Sequence, residues 1–137
     1  MTKPIPSTGE PLPVIGIGTW QSFDVRDDET ARAPLRDVLR AAAESGARVV
    51  DSSPMYGAAE AVLGELAEGL GLRDKLFYAT KVWTRGRAEG VRQMEHSFRR
   101  MRVARMDLMQ ARTIIGLPRY QYALSASVIA QAVQRAL

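Results

Sequence analysis

Four short runs of apolar residues recur along the chain at a nearly constant interval. They begin at residues 14, 48, 76 and 106, so the intervals between them are 34, 28 and 30 residues. One strand, one helix and two loops fill an interval of this length, which is the repeat of a parallel βα architecture. The runs predict strands at residues 14–17, 48–51, 76–82 and 106–110.

The segments between these runs have helical periodicity, because their apolar residues fall three or four positions apart. These residues are Leu35, Val38, Leu39 and Ala42 in the first segment, Val62, Leu63 and Leu66 in the second, and Val91, Met94, Phe98 and Met101 in the third. Pro34 suits the first turn of a helix and Gly46 suits a C-terminal end. Three βα units and a fourth strand predict a parallel α/β sheet, either a barrel or a doubly wound sheet. Both folds place chemistry at the carboxyl ends of their strands.

The character of the chain changes after Gln110. Gly116 and Pro118 interrupt any regular pattern in residues 111–119. Residues 122–137 then predict one amphipathic helix, whose apolar side consists of Leu124, Val128, Ile129, Ala132 and Val133. We therefore expect two regions, residues 1–110 with the βα repeat and a divergent tail of residues 111–137.

The composition changes this picture little. The chain has 137 residues, of which 46% are hydrophobic and 25% charged, as in ordinary globular domains. It has no cysteine, which excludes disulfides and a thiol nucleophile. No apolar run approaches the roughly 20 residues that span a bilayer. The N-terminal segment lacks the apolar core of a signal peptide. We therefore expect a cytoplasmic protein with no membrane partner.

The net charge of +4 raises the question of an anionic partner. The densest basic cluster consists of Arg99, Arg100, Arg102 and Arg105. It follows an amphipathic stretch, and no nucleic-acid-binding motif accompanies it, so we interpret it as a solvated helix end. No nucleic-acid partner is expected.

Three polar residues stand where strand ends are predicted. Asp51 closes the second strand, Tyr56 follows in the next loop, and Lys81 lies inside the apolar third strand. A charged residue in such a strand is unfavourable unless it is paired, and Asp51 on the adjacent strand is the obvious partner for Lys81. One interpretation is a structural ion pair beside a packed tyrosine. The other is a proton-donating centre, since an adjacent ammonium stabilises a phenolate and makes the phenol a better acid.

Four stretches of the sequence closely resemble the aldo/keto reductase family. They are VIGIGTW at residues 14–20, VDSSPMYG at residues 50–57, ATKV at residues 79–82 and MDLMQ at residues 106–110. The resemblance extends over roughly residues 5–110. It implies an α/β fold that is part of a (β/α)8 TIM-type barrel, comprising about three βα units and a fourth strand.

The resemblance also implies NADPH-dependent reduction of aldehydes or ketones. By position, Tyr56 would be the general acid, Lys81 would tune it and Asp51 would orient Lys81. The first-strand loop of Gly18, Thr19 and Trp20 would, together with Asp51, line the cofactor. Trp20 and Tyr56 would contact the substrate. Trp83, which follows the third strand, would form one wall of the same pocket. The alternative is that Trp83 only packs in the core or at the rim of the barrel.

The sequence departs from the family pattern after the fourth strand. The fourth catalytic residue of the family is a histidine two positions beyond the glutamine, and Arg112 stands there. Arginine cannot become a neutral imidazole. The chain's one histidine, His96, lies off the apolar stripe of its helix and is expected at the surface. Most cofactor-binding groups of the family come from the second half of the barrel, which the tail does not resemble.

Two hypotheses follow from these departures. The first is a truncated aldo/keto reductase, impaired or inactive alone. The alternative is a non-catalytic barrel fragment that serves as an interaction module and associates with itself through its open edge.

Overall fold

The computed structural model describes residues 1–111 and the backbone of a strand at residues 122–125. The elements, in chain order, are β1 (Thr2–Pro4), β2 (Pro11–Pro13), β3 (Gly16–Gly18), α1 (Glu29–Glu44), β4 (Val49–Asp51), α2 (Ala59–Gly69), β5 (Phe77–Val82), α3 (Arg87–Met101), β6 (Leu108–Ala111) and β7 (Tyr122–Ser125).

Five strands form one sheet in the order β3-β4-β5-β6-β7. The first four are parallel, while β7 runs antiparallel to β6. The parallel strands confirm the four predicted strands, with small shifts at their ends. The hairpin of β1 and β2, which precedes the sheet, was not predicted. Its strands are short and contain prolines at both ends of β2, so they lack the alternating pattern that marks a strand.

The core lies between the sheet and the helices, and it includes Leu39 of α1 as well as residues of α2 and α3. Its largest fully buried side chains include Phe23, Leu39, Leu63, Met101, Met106 and Met109. Helices α2 and α3 approach closely at Gly64, where a Cβ atom would lie 2.5 Å from the carbonyl oxygen of Arg100. Only glycine permits this spacing. It brings the C-terminal end of α3 against the middle of α2.

Helix α1 begins earlier than the sequence indicated. The Oδ1 atom of Asp28 accepts a hydrogen bond of 3.1 Å from the backbone N–H of Ala31, which caps the helix. The helix therefore starts at Glu29, and Pro34 lies inside it rather than in its first turn. An aspartate cap satisfies an otherwise unpaired backbone donor, and this outweighs the positional preference of proline. Gly46, with φ +81°, follows the end of the helix as predicted.

The prediction of a helix that begins at Tyr122 is wrong for its first four residues. They form β7, whose register with β6 runs from Ala111 opposite Tyr122 to Leu108 opposite Ser125. Without this pairing, β6 would present one row of unpaired backbone groups, and strand pairing satisfies them. The remainder of the predicted helix lies outside the described residues, and the region boundary at residue 110 stays a prediction.

The described part of the chain contains no helix that is both long and apolar enough to cross a membrane. A cavity of about 670 Å³ lies between the β1–β2 hairpin and the N-terminal ends of β5 and β6. It is at the opposite end of the sheet from the carboxyl ends of the strands. Its lining includes Ile5, Leu12, Phe77 and Leu108.

Candidate functional site

The parallel register brings the predicted site residues to one edge of the sheet. Gly18 pairs with Asp51 across β3 and β4, and Asp51 pairs with Ala79 across β4 and β5. Lys81 lies two residues beyond Ala79. Because side chains alternate along a strand, Lys81 points to the same face as Ala79. The carboxyl ends of three neighbouring strands therefore converge where the sequence predicted chemistry.

Asp51 and Lys81 form a bidentate ion pair. The Lys81 ammonium donates hydrogen bonds to Asp51 Oδ1 at 3.0 Å and Oδ2 at 2.8 Å. It also donates to the backbone carbonyl of Ser52 at 2.8 Å. A lysine ammonium has three hydrogens, so these three acceptors occupy all of them. The Lys81 side chain is 8% exposed and that of Asp51 is 40% exposed, so the pair buries its cation and presents its anion.

Tyr56 lies beside this pair in the loop between β4 and α2. The Lys81 ammonium is positioned over its ring, 5.2 Å from the ring centroid. The backbone N–H of Tyr56 donates to the carbonyl of Ser53 at 3.0 Å, which holds the loop in a turn. The predicted trio of Asp51, Lys81 and Tyr56 is therefore one cluster. The ammonium meets the phenol through its ring face, where a cation is attracted electrostatically.

Trp20 and Thr19 have different positions in the first-strand loop. The Trp20 ring lies 6.4 Å from the Tyr56 ring, centroid to centroid, and the residue is 66% exposed. Thr19 is fully buried. Its hydroxyl lies 3.0 Å from the Asp51 carbonyl and 2.8 Å from Ser52 Oγ, within hydrogen-bonding distance of both. Trp20 thus offers an accessible aromatic surface next to the phenol, while Thr19 holds the backbone at the end of β4.

The backbone N–H of Trp83 donates to Gln93 Oε1 of α3 at 2.5 Å. This bond anchors the residue after β5 to α3, and the role of Trp83 in a substrate pocket stays a prediction. His96 is exposed on α3, as expected. Arg112, which the sequence analysis compared with a catalytic histidine, lies outside the described residues.

The sequence did not point to Ser52, although its carbonyl is one of the three acceptors of Lys81. Any residue type can supply a carbonyl, so only the turn after β4 reveals this role. Asp24 was missed for a similar reason. Its Oδ1 atom accepts a hydrogen bond of 2.8 Å from the backbone N–H of Ala58, next to Gly57 at φ +59°. This contact fixes the loop that carries Tyr56.

The sequence model of the aldo/keto reductase family matches residues 14–126. The chain belongs to this family. Methylglyoxal reductase YeaE of Escherichia coli is 37% identical to it over an alignment of 101 residues, which covers 71% of this chain and 34% of the relative. Aldo-keto reductase YhdN of Bacillus subtilis is 30% identical over an alignment of 118 residues, which covers 77% of this chain and 36% of the relative.

Solved structures of family members have the same fold over this region. An aldo/keto reductase of Klebsiella pneumoniae in complex with NADP and acetate superposes with a TM-score of 0.64 at 31% identity, covering 74% of this chain and 35% of that one. Another from Klebsiella pneumoniae, in complex with NADPH, gives a TM-score of 0.69 at 28% identity, covering 93% of this chain and 42% of that one. The predicted fold class is confirmed, since the parallel strands β3 to β6 and helices α1 to α3 are part of a (β/α)8 barrel.

The chain spans about a third of the length of the curated relatives it matches. In terms of the family fold, the described strands β3 to β6 supply the part of the barrel that bears Asp51, Tyr56 and Lys81.

Proposed function

We propose that this chain carries the proton-donating centre of an NADPH-dependent carbonyl reductase. The observation that supports it is the convergence of three groups, with Lys81 bonded to Asp51 and its ammonium 5.2 Å from the centroid of the Tyr56 ring. A phenol next to a fixed cation is suited to donate a proton to a carbonyl oxygen, because the cation stabilises the phenolate that remains.

The described residues fit the nicotinamide end of such a cofactor. Gly18 has open space where a Cβ would stand, Trp20 is 66% exposed, and the Asp51 carboxylate is 40% exposed. These residues would line the ring at the carboxyl ends of β3 and β4. When bound, NADPH supplies the hydride that reaches the carbonyl carbon. Tyr56 supplies the proton to the carbonyl oxygen, giving an alcohol, and the phenolate then recovers a proton from water.

The proposed substrate is a small aldehyde or ketone in contact with Tyr56, Trp20 and Trp83. Methylglyoxal is the first compound to test, because one relative is named a methylglyoxal reductase. The described residues account for only one end of the cofactor, so we expect weak NADPH binding and slow turnover by the chain alone.

Substitution of Tyr56 tests the proposal. In the full chain, Tyr56→Phe should abolish methylglyoxal-dependent oxidation of NADPH while leaving the Kd for NADPH, measured by cofactor fluorescence, within about twofold. Tyr78→Phe is the matched control, since Tyr78 is 2% exposed and packed in the core. No NADPH binding at submillimolar concentrations, or full turnover by Tyr56→Phe, would refute the proposal.

The alternative is a non-catalytic module that associates with itself, and exposed apolar side chains favour it. Ile15 is 68% exposed, Val38 48% and Val14 40%. Such side chains gain free energy when another surface covers them. Light scattering after size-exclusion chromatography distinguishes the two functions. A concentration-dependent dimer that binds no NADPH supports the module, and a monomer that binds NADPH contradicts it.

A further inference from the structure

A second carboxylate lies on the face of the sheet that packs against α2, opposite to the face of β5 that carries Lys81. Glu60, in the first turn of α2, is fully buried. Its Oε1 atom accepts a hydrogen bond of 2.7 Å from the Thr80 hydroxyl. Within the part of the chain that the structure describes, Oε2 has no hydrogen-bond partner. A buried carboxylate is unfavourable without compensation, so this position calls for an explanation.

Arg100 near the end of α3 supplies the compensating charge. Its Nη1 atom lies 3.8 Å from Glu60 Oε2, and the Arg100 side chain is only 19% exposed. Its Nη2 atom donates to the backbone carbonyl of Gly57. The close contact of α2 and α3 at Gly64 brings the two charges together. One guanidinium therefore connects the buried carboxylate to the loop between β4 and α2.

Both ends of this network lie next to the candidate site in the chain. Thr80 immediately precedes Lys81, and Gly57 immediately follows Tyr56. Consecutive residues of a strand point to opposite faces of the sheet. We call the face that packs against α2 the outer face and the opposite one the inner face. A bond that fixes Thr80 on the outer face therefore also fixes the direction of Lys81 on the inner face. The Arg100 bond to the Gly57 carbonyl restrains the Tyr56 turn in the same way.

We propose that Glu60 and Arg100 are positioning residues. From the outer face of the sheet, they set the distance between the Lys81 ammonium and the Tyr56 ring. A purely stabilising role explains the pair poorly, because well-packed apolar residues often stabilise a protein as well as a buried ion pair does. The pair offers geometry that apolar residues cannot. Glu60 accepts a hydrogen bond from the Thr80 hydroxyl, Arg100 donates one to the Gly57 carbonyl, and the ion pair joins the two residues.

Nuclear magnetic resonance of the full chain tests the positioning without any need for turnover. Tyrosine rings and lysine side chains are labelled with ¹³C, and the signals of Tyr56 and Lys81 are assigned with Tyr56→Phe and Lys81→Met. Glu60→Gln and Thr80→Val should shift both signals, and Thr80→Ser should restore them. Glu65→Gln is the matched control, because Glu65 also joins α2 to the end of α3, through Arg102 at 3.1 Å.

The same variants have a kinetic consequence, which rests on the proposed carbonyl reduction. Misplacement of a catalytic group by about 1 Å can lower kcat by up to about 100-fold. We expect Glu60→Gln and Thr80→Val to lower kcat in this range, with the Kd for NADPH unchanged and Glu65→Gln close to the wild type. If the wild type does not reduce methylglyoxal, the proposed function fails, and the resonance shifts still decide the positioning.

Two results would overturn the inference. One is that the Tyr56 and Lys81 signals stay in place in folded Glu60→Gln and Thr80→Val. The other is that Glu65→Gln moves them as much. Should Glu60→Gln not fold, Arg100→Lys serves instead, since a lysine keeps the charge but cannot reach both Glu60 and Gly57. The Tyr56 signal should move in that variant, and an unchanged signal would again contradict the inference.

Discussion

The two faces of β5 carry charged clusters that differ in how they meet solvent. On the inner face, the Lys81 side chain is 8% exposed and all its ammonium hydrogens are bonded, while the side chain of its partner Asp51 is 40% exposed. On the outer face, Glu60 is completely buried and its partner Arg100 is 19% exposed. The inner pair presents an anion at an accessible edge, where a ligand can bind. The outer pair encloses its anion and can act only through the backbone it holds.

The largest expected effect comes from the inner face. Lys81→Met should lower kcat for methylglyoxal by about 100-fold to 10 000-fold, because the phenolate of Tyr56 loses its stabilising cation. The free energy of unfolding should fall by only about 1 kcal/mol, since the unpaired Asp51 carboxylate can reach water. Stopped-flow kinetics and urea denaturation measure the two quantities. A variant that loses several kcal/mol of stability would show that the inner pair is mainly structural.

On the outer face, we expect substitutions to reduce stability more than they do on the inner face. Glu60→Leu removes the counter-charge of Arg100 and the acceptor of the Thr80 hydroxyl, and we expect a loss of about 3 kcal/mol in urea denaturation. Adding Arg100→Met should recover most of this loss, since apolar residues can replace a buried ion pair. The double variant should nevertheless remain slow in turnover. Recovery of both stability and kcat would mean that the outer pair does not position the site.

The glycine that brings α2 and α3 together provides a smaller test. Gly64→Ala places a Cβ 2.5 Å from the Arg100 carbonyl oxygen, so the helices must separate, at a cost of about 2 kcal/mol. Gly69→Ala is the control on the same helix, because nothing lies within 4 Å of its Cβ position. It should change stability by less than about 1 kcal/mol, in the stabilising direction. Equal destabilisation by both substitutions in thermal denaturation would contradict the close contact at Gly64.

The smallest effect concerns Tyr78, whose hydroxyl is buried without a hydrogen-bond partner among the described residues. Burial raises the pKa of Tyr78 to about 12, and Asp74 acts in the same direction. In the unfolded chain a tyrosine titrates near pH 10. The stabilising contribution is therefore complete below about pH 10 and is lost as the pH rises towards 12.

Tyr78→Phe should remove this alkaline loss and leave stability at pH 7 unchanged or slightly higher, because no hydrogen bond is lost. Urea denaturation of both proteins between pH 8 and about 12 measures the difference. Parallel pH profiles would contradict the buried position of the phenol.

The inner face was predictable from the sequence and the outer face was not. Asp51 and Lys81 stood at the ends of apolar runs, and the resemblance to a known family gave them roles. Glu60 is one charged residue among several in its helix, and nothing local distinguishes it from Glu65. Its burial depends on the contact between α2 and α3, which joins residues far apart in the chain.

The difference between local sequence patterns and contacts made in the folded chain also explains the errors at the ends of helices and strands. Strands β4 and β5 were found because they are apolar runs with a buried pattern. Helix α1 began earlier than expected because the side chain of Asp28 caps it. Strand β7 was mistaken for helix, since helical periodicity in a short segment does not reveal that a neighbouring strand edge needs a partner.

The three occupied hydrogens of Lys81 have a consequence for isotope experiments. Because Asp51 and Ser52 accept all three of those hydrogens, none is directed at the phenolic oxygen. In the proposed reaction the phenolic hydrogen of Tyr56 is then the only solvent-exchangeable hydrogen that moves with the hydride. In mixtures of light and heavy water, the rate should then decrease linearly with the deuterium fraction. A curved dependence would indicate that more than one exchangeable proton moves, which would contradict this expectation.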